Sequence, residues 1–230
     1  KFPKTYGAFY RLTDTKIINS LINLPFYFSR RKVAKLIDKI NPDVIVATHA
    51  LSTRIVSQLK KNGLKIPYIL IVTDFKAHYT YISEYVDAYI TGSEYTKQSL
   101  ISRNINPHKI YPLGIPINKK FYTEVTNASE LKDKAYFNLL LMSGSLGLSQ
   151  ISSVLKELLK NPNKLRITVV CGKNIKLKNS LNQYCTDNIF QNKKLHVLGF
   201  TKDISYLMDY CDVIISKPGG LTVTESIVKN

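Results

Sequence analysis

Asp212-Val-Ile-Ile-Ser-Lys-Pro-Gly-Gly-Leu-Thr-Val-Thr-Glu225 is the stretch that decides the fold of this 230-residue chain. Its β-branched run from Val213 to Ile215 is typical of a buried strand. The pattern breaks at Lys217-Pro-Gly-Gly220 and resumes at Leu221 with spacing that favours a helix through Val228. A strand, a tight turn and a helix in this order are the repeating unit of an α/β protein.

The turn in this stretch has the features of an anion-binding site. The first backbone N–H groups of a helix have no internal partner, and the helix dipole places partial positive charge there. Gly219 and Gly220 carry no Cβ, so a diphosphate could approach their backbone closely. Thr222 would add a hydroxyl, and Glu225 could accept hydrogen bonds from ribose hydroxyls. The alternative is that Pro-Gly-Gly is only a turn between a strand and a helix.

The residues that precede this stretch show the same alternation of strands and helices. We expect strands at 139–142, 166–171 and 195–198, and helices at 149–160, 175–184 and 203–210. A loop of small residues follows the first of these strands, and its Gly144, Ser145 and Gly147 form a weak candidate phosphate-binding loop. Residues 137–230 are therefore predicted to form one nucleotide-binding α/β domain.

The first half of the chain predicts a second parallel sheet. We expect strands at 44–47, 66–73 and 87–91, and helices at 51–61 and from an N-cap at Ser93 to Arg103. Ligands of such sheets bind beyond the carboxyl ends of the strands. We assign residues 1–117 to this domain and the polar, charged residues 118–136 to a linker.

Polar side chains follow the predicted strands of the first half. His49 follows the first strand, and Asp74 and His78 follow the second. A carboxylate and an imidazole at one edge of a sheet could act as a catalytic base and the group that orients it. The alternative is that both histidines only cap or satisfy the backbone of loops.

The chain is strongly basic, with a net charge of +17. The excess lies mainly in residues 1–120 and indicates an anionic partner, although a lysine-rich proteome would give part of it. The run Arg30-Arg31-Lys32, beside several aromatic residues, is a candidate membrane-surface contact. No nucleic-acid-binding motif accompanies the charge, so we expect no nucleic-acid partner.

The three cysteines have no metal-like spacing and suggest a reducing compartment. The sequence holds no apolar run of membrane-spanning length and no signal peptide. The chain begins at Lys1 without a methionine and stops at Asn230 inside a predicted helix, as expected of a fragment.

Two motifs carry a family resemblance. Gly199-Phe-Thr-Lys-Asp-Ile204 together with the segment from Asp212 to Glu225 closely resembles the donor-binding half of the GT-B glycosyltransferases. Val72-Thr-Asp-Phe-Lys-Ala-His78 resembles the Thr-Asp-aromatic-x-x-His signature of the diacylglycerol glycosyltransferases, and residues 6–16 resemble a region on their acceptor side. The chain is most similar to the monogalactosyl- and processive glucosyl-diacylglycerol synthases, which are relatives of MurG.

The resemblance implies an α/β fold of the GT-B type, with two Rossmann-like parallel-sheet domains facing across a cleft. It implies an inverting transfer of a hexose from UDP-glucose or UDP-galactose to diacylglycerol, with no obligatory metal and no other cofactor. Asp74, His78 and His49 would lie on the acceptor side. The expected donor-binding residues are Gly144, Ser145, Gly147, Phe200, Thr201, Lys217, Pro218, Gly219, Gly220, Leu221, Thr222 and Glu225. The protein would be cytoplasmic and peripheral, on the inner face of the cell membrane.

Three other functions remain open from the sequence. One is a MurG-like transfer of N-acetylglucosamine to a lipid-linked precursor. Another is a UDP-sugar epimerase, which shares the architecture but needs no lipid. The third is a non-catalytic module that binds a nucleotide sugar or an anionic lipid.

Overall fold

The computed structural model describes residues 14–15, 27–123, 132–142, 150–188 and 190–229. The chain divides into two compact units, residues 1–116 and 117–230. Each unit contains a four-stranded sheet in which every pair of neighbouring strands is parallel. The predicted fold class, two parallel-sheet α/β domains, is therefore confirmed for the described residues.

The first unit orders its strands β1-β2-β3-β4. Its elements are α1 (Tyr27–Ile40), β1 (Ile45–Ala47), α2 (Ala50–Lys61), β2 (Tyr68–Val72), β3 (Ala88–Thr91), α3 (Glu94–Ile101) and β4 (Ile110–Tyr111), with 3₁₀ turns at Tyr79–Tyr81 and Pro107–Lys109. The short strand β4 was not predicted, because two residues are too few to show a periodicity. Tyr68, Leu70, Val72 and Tyr89 are fully or almost fully buried and form the centre of its core.

The second unit orders its strands β7-β6-β5-β8. Its elements are a 3₁₀ turn at Lys119–Phe121, β5 (Phe137–Met142), α4 (Gln150–Lys160), β6 (Leu165–Val170), α5 (Ile175–Asp187), β7 (Lys193–Leu198), α6 (Ile204–Tyr210), β8 (Val213–Ser216) and α7 (Gly220–Val228). The two faces of this sheet are covered by separate apolar clusters, one around Leu155 and Ile167 and one around Leu140 and Met208.

Part of the predicted linker packs on the second unit. Phe121 is 4% exposed and belongs to the cluster of Leu140 and Met208. The Ser205 hydroxyl donates to the Lys120 carbonyl at 2.7 Å, and the Lys229 ammonium donates to the Thr123 carbonyl at 2.6 Å. The domain bounds predicted from the sequence remain a prediction, but these contacts tie residues 120–123 to the second sheet.

An aspartate at the start of a strand fixes the register of each sheet. Asp87, just before β3, accepts the Tyr68 N–H at 2.7 Å and the Lys60 ammonium at 2.6 Å. Asp212, just before β8, accepts the Asn138 N–H at 2.7 Å and pairs with the Lys132 ammonium at 2.5 Å. Each aspartate also donates its own N–H to the carbonyl of that same neighbouring residue. The two units therefore use one device to align the amino ends of adjacent strands.

The Asp212 contacts lower the pKa of its carboxyl. Burial alone raises this pKa, but the hydrogen bonds from Lys132 and Asn138 outweigh it and bring the pKa below the ordinary value of 3.8. A carboxyl whose pKa is depressed by folding stabilises the folded state above its unfolded pKa. This contribution is present at neutral pH and is lost as the pH falls through the lowered value.

We predict that Asp212→Ala lowers the free energy of unfolding by about 2 kcal/mol at pH 7, because the Asn138 N–H and Lys132 lose their acceptor. Urea denaturation checks this. The control is Asp187→Ala, which removes an exposed carboxylate bonded to Gln183 and should change stability by less than about 0.5 kcal/mol. Equal effects of the two substitutions would contradict the role given to Asp212.

Candidate functional site

The second sheet has a topological switch point between β5 and β8. The chain runs from β5 outward to β6 and β7, and then returns to place β8 on the other side of β5. The register aligns Met142, the last residue of β5, with Ser216, the last residue of β8. Ligands of open parallel sheets bind at the carboxyl edge where the strand order reverses. Gly144, Ser145 and Gly147, predicted to bind phosphate, lie outside the described residues.

Helix α7 begins at this edge without a side-chain cap. Its N-cap is Gly219, with φ −79° and ψ 145°. The first α7 N–H that bonds within the helix is that of Val223, which donates to the Gly219 carbonyl at 3.0 Å. The N–H groups of Gly220, Leu221 and Thr222 therefore precede the first intrahelical bond and have no helical acceptor. Lys217 and Pro218, which lead into the helix, are exposed.

The glycine at the start of α7 is not required by the protein's own geometry. Its φ is negative, and a Cβ added to Gly219 would meet no atom within 4 Å. Gly92, just after β3, is the opposite case, since a Cβ there would lie 2.9 Å from Ile115 Cγ1. Packing therefore explains Gly92, whereas the absence of a side chain at Gly219 leaves open space in front of the helix.

Glu225 lies on α7, little more than one turn from its start. Its side chain is partly buried, and burial raises the pKa of the carboxyl, an effect that Lys120 partly offsets. Within the described part of the chain, no hydrogen bond or ion pair reaches this carboxylate. The hydroxyls of the neighbouring residues Thr224 and Ser226 do not donate to it. They donate instead to the Gly220 and Thr222 carbonyls, at 2.8 and 2.7 Å. A half-buried acceptor without a donor suits a ligand that brings hydroxyl groups.

Phe200 and Thr201 follow β7 at the same edge of the sheet. Phe200 is 60% exposed, with the Lys173 ammonium 5.9 Å from its ring centroid. The Thr201 hydroxyl accepts the Asp203 N–H at 3.0 Å, so its side chain organises the start of α6. Strand β7 lies three strands from β8, on the order of 14 Å at about 4.8 Å per strand. A nucleotide lying along this edge would have to extend from Phe200 and Thr201 to the start of α7.

In the first unit, the structure places Asp74 and His49 at the ends of neighbouring strands. Strands β1 and β2 are adjacent, and the Thr73 hydroxyl donates to the Thr48 carbonyl at 3.4 Å. His49 is exposed and caps α2, with its Nδ1 accepting the Leu51 N–H at 3.1 Å. Asp74 is exposed, and its Oδ2 accepts the Tyr81 hydroxyl at 3.0 Å.

His78 lies in a different environment from the other two. It is 3% exposed, and its Nδ1 accepts the Thr80 N–H at 3.1 Å, which caps the 3₁₀ turn. Its Nε2 lies 3.8 Å from Asp14 Oδ1. The capping role that the sequence left open for both histidines is thus present in each. Asp14 and Arg103 were not singled out from the sequence, because they are 89 residues apart and no local pattern joins them.

Helix α1 presents a basic surface with apolar residues in it. Arg31 and Lys32 are exposed, as are Lys35 and Lys39, whereas Arg30 is partly buried. Two large apolar side chains share this exposed surface, Leu36 at 54% and Ile40 at 61%. The sequence predicted a membrane contact for Arg30, Arg31 and Lys32 only; Leu36 and Ile40 were not predicted, although their four-residue spacing places them on one helical face.

Three further observations concern chemistry elsewhere in the chain. Cys171, Cys185 and Cys211 are all free thiols. In the residues that the structure describes, no three His, Cys, Asp or Glu side chains are grouped so as to hold a metal ion. In the same residues, no helix is long and apolar enough to cross a membrane.

Comparison with solved structures identifies the fold class. MurG of Acinetobacter baumannii matches with a TM-score of 0.56 at 18% identity, over 87% of this chain and 54% of MurG. HepE of Anabaena, solved with UDP-glucose, gives 0.57 at 17% identity, over 86% and 60%. The UDP-GlcNAc 2-epimerase of Neisseria meningitidis gives 0.58 at 14% identity, over 83% and 58%. The fold is therefore of the GT-B type.

The family follows from sequence comparison. Residues 1–117 match the monogalactosyldiacylglycerol (MGDG) synthase family, and residues 138–230 match the glycosyltransferase family 28 C-terminal domain. The processive diacylglycerol beta-glucosyltransferase of Bacillus licheniformis is 30% identical over 96% of this chain, and that of Staphylococcus aureus 28% over 99%. The chain belongs to the MGDG synthase family of glycosyltransferases. It spans 58% of the length of these relatives.

We predict that Gly219→Ser leaves the free energy of unfolding unchanged or raises it by a few tenths of a kcal/mol. The position tolerates a Cβ, and serine is a slightly better N-cap than glycine. Gly92→Ala should instead lower it by about 1–3 kcal/mol, because the new methyl overlaps Ile115. Urea denaturation compares the two, and a large loss in Gly219→Ser would show that this glycine serves the fold.

Proposed function

We propose that this protein transfers a hexose from a UDP-sugar to diacylglycerol with inversion at the anomeric carbon. The observation that carries the proposal is the start of α7 at the β5/β8 switch point, which has no side-chain cap, together with a Glu225 carboxylate that has no hydrogen-bond partner among the described residues. The similarity to diacylglycerol glucosyltransferases supports the acceptor.

The donor would lie along the carboxyl edge of the second sheet. Its diphosphate would accept hydrogen bonds from the N–H groups of Gly220, Leu221 and Thr222, which have no acceptor within the helix, helped by the Thr222 hydroxyl and the Lys217 ammonium. Its ribose hydroxyls would donate to Glu225, and its base would lie near Phe200 and the backbone of Thr201. Gly144, Ser145 and Gly147 remain proposed phosphate contacts. UDP-glucose is the preferred donor, because the similar relatives are glucosyltransferases, and UDP-galactose is the alternative.

The acceptor chemistry would take place beside the first sheet. A diacylglycerol hydroxyl attacks the anomeric carbon and forms the new C–O bond as the bond to the UDP oxygen breaks. The electron pair leaves with UDP, whose growing charge is stabilised by the amino end of α7. The hydroxyl proton passes to a base, for which the exposed Asp74 is the proposed group, with His49 nearby in the sheet. No step in this scheme requires a metal ion.

The MurG-like alternative receives less support than transfer to diacylglycerol. MurG resembles this chain at 18% identity, which indicates a shared fold, whereas the diacylglycerol glucosyltransferases reach 30%. A product assay with the complete protein, offering each acceptor in turn, separates the two. Sugar turnover without any lipid acceptor would favour epimerase chemistry, and UDP binding without turnover would favour a binding module.

We also propose that α1 binds the anionic surface of the inner face of the cell membrane. Lysines and arginines beside exposed apolar residues suit a helix that lies in the headgroup region. Leu36 and Ile40 would enter the apolar boundary, while Arg31 and Lys32, with Arg30 beside them, would meet lipid phosphates. Free thiols favour a reducing compartment, which is consistent with the cytoplasmic side.

We predict that Glu225→Gln weakens UDP binding to this chain about tenfold, the scale of one lost charge-assisted hydrogen bond. Calorimetric titration measures it, with Glu157→Gln on the exposed side of α4 as the control. The ionised carboxylate accepts hydrogen bonds better, so UDP binding should weaken as the pH falls through the raised pKa of Glu225. Glu225→Gln should lose that part of the pH dependence. Unchanged affinity in Glu225→Gln would contradict the proposed donor site.

We predict that the double variant Arg31→Gln/Lys32→Gln binds vesicles of phosphatidylglycerol and phosphatidylcholine at least tenfold more weakly, since each cation near the surface contributes about 1 kcal/mol. Sedimentation with vesicles measures the partition. Lys164→Gln/Lys176→Gln removes the same charge from exposed positions of the second unit and should have a smaller effect. Equal losses would mean that net charge, rather than α1, determines binding.

A further inference from the structure

The Asp74 carboxylate is held by Tyr81, a residue three positions beyond the Val72–His78 motif. The Tyr81 hydroxyl donates to Asp74 Oδ2 at 3.0 Å, and Tyr81 itself is only 4% exposed. A buried tyrosine has few alternative rotamers, so its hydroxyl is fixed relative to the sheet. Across the described residues, no other hydrogen bond to the Asp74 carboxylate is present. One oxygen is thus held by Tyr81, which leaves the other as the acceptor for a proton.

We propose that Tyr81 is a positioning residue for Asp74, and that His78, Asp14 and Arg103 form the clamp that holds Tyr81 in place. His78 would then act through the backbone of the 3₁₀ turn and not as the catalytic base. This inference rests on the proposed function, because it assumes that Asp74 receives the acceptor proton.

The Nδ1 lone pair of His78 is already used as a hydrogen-bond acceptor in the turn. Its Nδ1 already accepts the Thr80 N–H, so the proton of the neutral ring is on Nε2. Nε2 faces the Asp14 carboxylate at 3.8 Å, which favours that tautomer. The ring is also almost fully buried. What the ring does provide is a cap on the turn that carries Tyr81.

Asp14 and Arg103 hold the other side of the same turn. The Arg103 guanidinium donates to both Asp14 oxygens, at 3.0 and 3.1 Å, and lies 4.2 Å from the centroid of the Tyr79 ring. Asp14 also accepts the Tyr79 N–H at 2.9 Å. Burial raises the pKa of Asp14, but the hydrogen bonds from Arg103 and Tyr79 outweigh it, so the carboxyl stays ionised. The turn is therefore fixed at its first residue by Asp14 and at its cap by His78.

The test of Tyr81 is a double-mutant cycle with Asp74 in the complete protein. We expect Tyr81→Phe to lower kcat about tenfold without changing KM for the UDP-sugar, because it removes only the hydrogen bond to Asp74. Asp74→Glu keeps a carboxylate but moves it by one methylene. In that background, Tyr81→Phe should have no further effect, since interacting residues are not additive.

The matched control is Tyr85→Phe, in the same connection between β2 and β3. We expect full turnover from it, and the thermal midpoints of both variants should remain close to that of the parent. If Tyr81→Phe lowers kcat by the same factor in the Asp74→Glu background as in the parent protein, the positioning role is overturned. Normal turnover in Tyr81→Phe would also overturn it. Normal turnover in Asp74→Asn would instead contradict the proposed function, because Asp74 would then not be the group that receives the acceptor proton.

The role of His78 in the clamp is tested by comparing the variants His78→Asn and His78→Ala. His78→Asn places an amide oxygen where Nδ1 accepts the Thr80 N–H, so it keeps the cap and removes the acid–base group. We expect His78→Asn to retain turnover within about fivefold and His78→Ala to lose much more, together with stability. A catalytic base would lose on the order of 10²–10⁴ in either substitution. Equal and large losses in both would overturn the assignment of His78 to the clamp.

Discussion

Both sheets depend on an aspartate that binds the backbone of the next strand. Asp87 and Asp212 each stand just before a strand, and each accepts the N–H of a residue near the start of the neighbouring strand at 2.7 Å. Parallel strands are joined by long crossovers, so no tight turn sets their register. A charged acceptor at the amino end supplies that constraint. In each sheet, this alignment sets the carboxyl ends of the strands along one edge. The polar residues of that sheet's candidate site follow those ends.

The start of α7 shows how a fold can leave a site open. Three other helices that follow strands have capping side chains: His49 on α2, Ser93 on α3 and Asn174 on α5. Helix α7 has glycine at that position and no side-chain cap. Among the described residues, none accepts a hydrogen bond from its first N–H groups, which are thus available to solvent or to a ligand that can accept hydrogen bonds. The Glu225 carboxyl, whose pKa is raised by burial, likewise accepts no hydrogen bond from the residues that the structure describes.

On the acceptor side, the reactive group and its support are separate. Asp74 is exposed at the end of β2, whereas His78, Tyr81 and Arg103 are buried or nearly so. Exposed carboxylates rotate freely unless a fixed donor holds them. The connection between β2 and β3 supplies that donor, and Asp14 ties this connection to Arg103 at the end of α3. The proposed positioning role follows from this difference in burial.

The sequence by itself determined the alternation of strands and helices, because hydrophobic periodicity is a local property. Strands such as Val213–Ser216 and helices such as Ala50–Lys61 were predicted to within a residue or two. It also pointed to Gly219, Glu225 and Asp74, since glycine turns and strand ends can be recognised along the chain. Only the tertiary structure decided the strand order that creates the switch point, the burial of His78 and the contacts of Asp14 with Arg103. These features join residues far apart in sequence, and nothing in the local pattern of either partner specifies the other.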